Sequence, residues 1–243
     1  MTNNIYFIAN WKMYGSTSSL NSLNKLINLT KLKKYNKAKI IYFPPFTLIQ
    51  NFINKFKNTT ISVGGQNCHH VKDYGSFTGS ISSKMLKDLG CKYVILGHSE
   101  NRMAGESDED INKKIHSALS KNLKVVFCIG ETLKEKKNGK TKSVLLKQIK
   151  KGLYKISKKN NCFVAYEPVW SIGTGKVPKL RDLEKTIRFI KNKFGKKKPK
   201  ILYGGSVNPK NISDLKSIDN IDGFLIGGAS QEAKKFIDII KKT

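Results

Sequence analysis

Five polar side chains stand directly after short apolar runs: Asn10 and Lys12 in "ANWKM", His98 and Glu100 in "GHSE", and Glu167 in "AYEP". A carboxylate, a histidine and a lysine brought together suit proton abstraction from a carbon beside a carbonyl. The carboxylate would act as base, the histidine as a neutral donor to the oxygen, and the lysine as a fixed cation for the charge that develops. Two further runs end in glycine pairs, Gly204-Gly205 before Ser206 and Gly227-Gly228 before "AS". Glycine lets backbone N–H groups approach an anion, and a helix start adds its dipole, so these ends suit a phosphate monoester. Taken singly, each residue also has a plain structural reading. Lys12 could be a surface lysine, Glu167 a helix-start carboxylate, and His98 a satisfied hydrogen-bonding group.

These residues need elements to bring them together. Apolar runs fall at 5–9, 40–43, 60–63, 91–96, 124–129, 162–166, 200–203 and 223–226. They lack polar alternation, as strands buried on both faces do. Helical stripes lie between them: Ile111, Ile115 and Leu119; Leu145, Ile149, Leu153 and Ile156; and Leu180, Leu183, Ile187, Ile190 and Phe194. Ser107 and Asp110, three apart, signal a helix start. Eight such runs with helices between them predict an α/β fold, a (β/α)8 barrel of eight parallel strands with outer helices, as one catalytic domain over 1–243. An open, doubly wound sheet is the alternative, but no GxGxxG follows the first run. In a barrel, sites are built where strands end, and a phosphate site falls after strands seven and eight. In strand one, alternation puts Asn10 and Lys12 on one side and Trp11 on the other.

Composition narrows the function classes. The chain has 243 residues, 39% hydrophobic and 26% charged, as a globular protein does. No apolar run approaches membrane-spanning length, and "MTNNIYFIANWKMYG" shows no signal-peptide pattern, so a cytoplasmic location without membrane association is expected. The four cysteines, Cys68, Cys91, Cys128 and Cys162, form no CxxC pair and are expected as free thiols. Cys68-His69-His70 invites a metal reading, yet adjacent residues seldom converge on one ion and no second cluster completes a site. No metal and no cofactor is expected.

The net charge is +29, and only Arg102, Arg181 and Arg188 of the 46 basic residues are arginine. Such a balance could steer a small anionic substrate or attract nucleic acid. The lysines are dispersed, with runs at 31–34, 134–142 and 191–200, and are not interleaved with aromatics. A solvated lysine-rich surface is the expected reading, and nucleic acid is not expected as a partner. "GKKKPK" at 195–200 is the one stretch that reads as a linker.

In order and spacing, "ANWKM", "GHSE", "CIGETL", "AYEPVWSIGTGK", "LYGGSVNP" and "GGAS" resemble the triosephosphate isomerase family along essentially the whole chain. The resemblance implies a cofactor-independent isomerase that interconverts D-glyceraldehyde 3-phosphate and dihydroxyacetone phosphate through an enediolate, in glycolysis and gluconeogenesis. It implies Glu167 as the base between C1 and C2 and His98 as the neutral electrophile, a pairing known in that family. Lys12 would stabilise the enediolate and contact the phosphate, Asn10 would bind substrate oxygens, and Glu100 would support Lys12. Gly173, Ser206, Gly227 and Gly228 would grip the phosphate. Pro168, Val169, Trp170, Ser171, Ile172, Gly173, Thr174, Gly175 and Lys176 would form the lid whose closure is also a family trait. Closure would exclude water and hold the enediolate until it is reprotonated.

The resemblance also implies a homodimer in which "CHHVKDYGSFTGS" fills a groove near Lys12 of the second subunit. Several positions depart from the family pattern. Tyr14 stands where Asn is usual, Ser171 where Ala is, and Val177-Pro178 where the trailing hinge usually reads Thr-Ala. The "GHSENRMAGES" stretch reads one residue short, with Asn101 in place of an Arg. Ser80 stands where Glu is usual, and Gln231 where Leu is. Asn101 and Ser80 thus replace both members of a pair that would cross the dimer interface. Two rivals remain: a phosphate-binding barrel acting on a larger sugar, against which the complete lid argues, and a basic barrel that binds nucleic acid.

Overall fold

Apolar runs buried on both faces need strands beside them and helices outside. The structure, a computed structural model, describes residues 4–157, 161–195 and 198–243. It places strands β1 (Ile5–Asn10), β2 (Ala38–Phe43), β3 (Ser62–Gly65), β4 (Tyr93–Leu96), β5 (Lys124–Ile129), β6 (Cys162–Tyr166), β7 (Lys200–Tyr203) and β8 (Gly223–Ile226) in one closed barrel in chain order. Every pairing is parallel, and β8 closes on β1 with Ile8 opposite Leu225. Closure rules out the doubly wound sheet. The third run, expected at 60–63, pairs two residues later, at Ser62–Gly65.

The helices among the described residues are α1 (Asn24–Thr30), α2 (Ile49–Phe56), α3 (Ser83–Asp88), α4 (Ser99–Met103), α5 (Asp108–Ser120), α6 (Leu133–Lys137), α7 (Thr141–Gly152), α8 (Leu180–Lys191), α9 (Ile212–Lys216) and α10 (Ala233–Lys241). Ser107 opens α5 through a reciprocal cap, accepting from the Asp110 N–H at 3.1 Å while Asp110 accepts from the Ser107 hydroxyl at 2.6 Å. The stripe Ile111, Ile115 and Leu119 is buried. Leu153, Ile156 and Phe194 are buried too, although they lie beyond the ends of α7 and α8. Leu180 corrects its stripe: as the first residue of α8 it is 42% exposed, while Leu183, Ile187 and Ile190 face the barrel. Part of the expected linker, residues 196–197, lies outside the described residues.

Strand alternation divides the core into two shells. Ile8, Ile41, Phe43, Ile95, Val126, Cys128, Ala165, Leu202 and Leu225 fill the barrel interior. Their outward neighbours, such as Phe7, Tyr42, Val94, Phe127 and Val164, pack under the helices. No helix among the described residues is long and apolar enough to cross a membrane.

Candidate active site

The same alternation delivers the site. In β1, Ile8 points into the barrel and Phe7 and Ala9 point out. Asn10 continues the inward series and Trp11 the outward one, as expected. Trp11 packs edge-on against Phe52, with ring centroids 5.0 Å apart, and donates from Nε1 to the Ser230 carbonyl at 3.0 Å. Lys12 then has φ 55°, in a region that non-glycine residues seldom occupy. Two bonds hold it there. Its N–H donates to Asn10 Oδ1 at 3.1 Å, and its carbonyl accepts from Gln66 Nε2 at 2.8 Å.

His98 breaks the alternation of β4. Tyr93 and Ile95 point inward, so the next inward position is residue 97. Gly97, at φ 74°, turns the chain in the left-handed region, and His98 comes to line the cavity instead. Arg102 fixes that turn: Nε donates to the Gly97 carbonyl at 2.8 Å, while a second nitrogen pairs with Asp108 at 2.7 Å. His98 Nδ1 accepts from the Glu100 N–H at 3.3 Å. A neutral ring in that setting carries its proton on Nε2. Nε2 stands 3.5 Å from Glu167 Oε1.

Glu167 follows Ala165 on the inner face of β6, and only 3% of it is exposed. Its N–H donates to the Ile129 carbonyl at 2.8 Å. The close approach depends on Gly130, where an added Cβ would lie 1.8 Å from the Glu167 carbonyl oxygen. Glu167 Oε2 is buried and makes no hydrogen bond of normal geometry among the described residues. An uncompensated buried carboxylate oxygen is costly, which marks a functional position over a structural one. Cys128 lies beside Glu167, and burial, with the Glu167 charge adding to it, pushes its thiol well above the usual range.

Asn10, Lys12, His98 and Glu167 share one cavity of about 740 Å³ with Ile172, Gly173, Gly175, Ser206, Gly227 and Gly228. Glu100 is brought to the cluster but does not line the cavity. Half-exposed, it holds Lys12 Nζ at 2.7 Å. The remaining segment residues stand behind the lining. Val169–Ser171 form one 3-10 turn, Trp170 Nε1 donates to Glu131 at 3.1 Å, and Lys136 Nζ lies 3.4 Å from the Trp170 ring centre. Thr174 bonds back to the Trp170 carbonyl at 3.2 Å, and Lys176 accepts from Ser171.

Glu131, Gln66, Arg102 and Cys128 were not expected as site residues. Glu131 is buried and also accepts from the Tyr166 hydroxyl; desolvation raises its carboxyl above the ordinary range. Its signal is in the sequence, since Glu131 of "CIGETL" comes just after β5 as His98 and Glu100 of "GHSE" come just after β4. Gln66 and Arg102 act on backbone carbonyls, which leave no trace in residue type. His69 and His70 stack on one another, centroids 4.2 Å apart, and His69 also stacks on Phe77.

The fold is that of a (β/α)8-barrel enzyme, and at the C-terminal mouth of the barrel a buried carboxylate faces a histidine beside two glycine-rich loops. Comparison with known proteins gives the family. The chain belongs to the triosephosphate isomerase family, whose model matches residues 5–243. It is 41% identical to the triosephosphate isomerase of Thermodesulfovibrio yellowstonii, over 97% of this chain and 98% of that one. It is 43% identical to that of Fusobacterium nucleatum, over 96% of each. The crystal structure of the Bartonella henselae triosephosphate isomerase superposes with a TM-score of 0.89 at 35% identity, covering 98% of both chains.

Proposed function

We propose that the described cavity is where the protein carries out its activity, the interconversion of D-glyceraldehyde 3-phosphate and dihydroxyacetone phosphate in glycolysis, and that the same step serves gluconeogenesis. The observation that carries the site assignment is Glu167 Oε1 facing His98 Nε2 across the cavity that Lys12 also lines. Glu167 takes a proton from the carbon beside the carbonyl while His98 Nε2–H donates to the carbonyl oxygen. The electron pair of the broken C–H bond forms the enediolate C=C. Lys12 and Asn10 stabilise the oxygen charge. His98 takes up the hydroxyl proton of the neighbouring oxygen in exchange for the one it gave, so that the carbonyl moves to that carbon, and Glu167 returns the carbon-bound proton to the carbon that was the carbonyl. All electrons stay within the substrate, so the reaction calls for no cofactor.

Gly173, Ser206, Gly227 and Gly228 bind the phosphate, and Glu100 supports by holding Lys12. Residues 168–176 act as the lid, with Glu131 anchoring Trp170. The chain works as one catalytic domain in the cytoplasm, as a homodimer. Exposed Tyr74 and Phe77 in the "CHHVKDYGSFTGS" segment, and Met13 and Tyr14 beside Lys12, support the second copy. A coupled spectrophotometric assay in both directions, with chelator present, tests the activity. Turnover with both triose phosphates is expected, and none from a folded protein would overturn it. Light scattering over a dilution series tests the dimer, and an active monomer at all concentrations would contradict it.

A further inference from the structure

Ser171 is fully buried at the end of the 3-10 turn that opens the lid. Its hydroxyl has one proton and two lone pairs, and all three are used. Oγ donates to the Lys176 carbonyl at 2.5 Å, at the other end of the lid. It accepts from the Ser206 N–H at 3.3 Å and meets the Tyr203 hydroxyl at 3.3 Å. Burial pushes Tyr203 up to about 12, so that phenol keeps its proton and donates it to Ser171. The contact is reciprocal: Ser206 Oγ donates to the Ser171 carbonyl at 2.6 Å and accepts from the Gly175 N–H at 3.1 Å. One hydroxyl therefore joins both ends of the lid to β7 and to the loop that lines the anion end of the cavity. The bonds of the Ser206 hydroxyl to the Ser171 carbonyl and the Gly175 N–H would survive an alanine at 171; the three made by Ser171 Oγ would not.

We propose that Ser171 is a positioning residue, a latch whose hydroxyl holds the lid closed over bound substrate and slows its opening. The proposal rests on the reading of 168–176 as a lid over the phosphate. An alanine would leave the Lys176 carbonyl, the Tyr203 hydroxyl and the Ser206 N–H short of a partner only in the closed form, so the equilibrium moves toward the open one.

The test labels the two tryptophans with 5-fluorotryptophan. Trp170 reports the lid, and buried Trp11 reports the fold. The probe is 2-phosphoglycolate, a two-carbon mimic of the enediolate phosphate. In Ser171→Ala we expect the analogue's Ki to rise about five- to tenfold and Trp170 exchange to quicken by a similar factor. We expect kcat to change by less than about threefold, because the groups that move protons are untouched. Tyr203→Phe removes one bond of the node and is expected to shift Ki about two- to threefold, with the double variant no worse than Ser171→Ala alone. It also carries the test should Ser171→Ala not fold. Unchanged Trp170 exchange and Ki would overturn the latch whatever happens to the melting temperature. Failure of the wild-type protein to bind the analogue would instead overturn the lid reading beneath it.

Discussion

His98 Nε2 and Glu167 Oε1 face each other at 3.5 Å, from the ends of β4 and β6. That distance is too long for a strong hydrogen bond, so neither group is consumed by the other and both are free for a substrate. Both are almost fully buried, and each is held by its backbone. Glu167→Gln keeps the shape and removes the base. It is expected to lower kcat by about 10³-fold or more with KM little changed, read by steady-state kinetics. A loss below tenfold would remove Glu167 from the role of base.

Lys12 lines the cavity together with Lys210 and Lys235, and Glu100 is its ion-pair partner. Lys12→Ala should lower kcat/KM by at least about 10²-fold, because the charge forming on the oxygen loses its fixed counter-charge. Glu100→Gln should cost only a few-fold, since Glu100 is half-exposed and its pair is screened by solvent. A larger loss in Glu100→Gln than in Lys12→Ala would reverse these assignments.

Glu131 gives a pH signature. Burial raises its carboxyl above the ordinary 4.5. Between 4.5 and that raised value the folded protein holds a proton that the unfolded chain has released. Stability therefore falls as pH rises through this window, and is flat beyond it. Glutamine at 131 has no such proton. Thermal melts from pH 4 upward should show the wild type losing ground against Glu131→Gln as pH increases. A difference constant with pH would mean that Glu131 carries no desolvation penalty.

The four thiols are buried, and burial pushes Cys68 and Cys91 up to about 12 and Cys128 higher still. Only the thiolate is a nucleophile. Titration with a disulfide reagent should give slow reaction in the native protein and four rapid equivalents in denaturant. Fast native labelling would mean that the core opens on the reagent's timescale.

Much of this was legible in sequence because burial and chemistry write themselves into residue type. β1, β5, β6, β7 and β8 stand where their apolar runs do, and Asn10, Lys12, His98 and Glu167 converge as their places after strands imply. β3 was misplaced because half of it is Gly64-Gly65, which carries no hydrophobic signal. An added Cβ at Gly64 would lie 2.4 Å from the Phe43 ring, a constraint visible only once β2 is alongside. Leu180 has the helical period but sits at the first turn of α8, where the stripe runs past the barrel edge. Ser171 read as a simple departure from the family pattern. Its partners Lys176, Tyr203 and Ser206 come from the far end of the lid and from β7 and the loop after it, and only the fold brings them within reach.

The central claim is that one buried carboxylate carries a proton between adjacent carbons of a triose phosphate. Dihydroxyacetone phosphate incubated with the protein in deuterium oxide, followed by proton NMR, tests it most directly. A base that exchanges with solvent during the enediolate's lifetime would place deuterium on C1 of the recovered ketose and on C2 of the aldose product, and Glu167→Gln would place almost none. Turnover or deuterium exchange undiminished in Glu167→Gln would contradict the account.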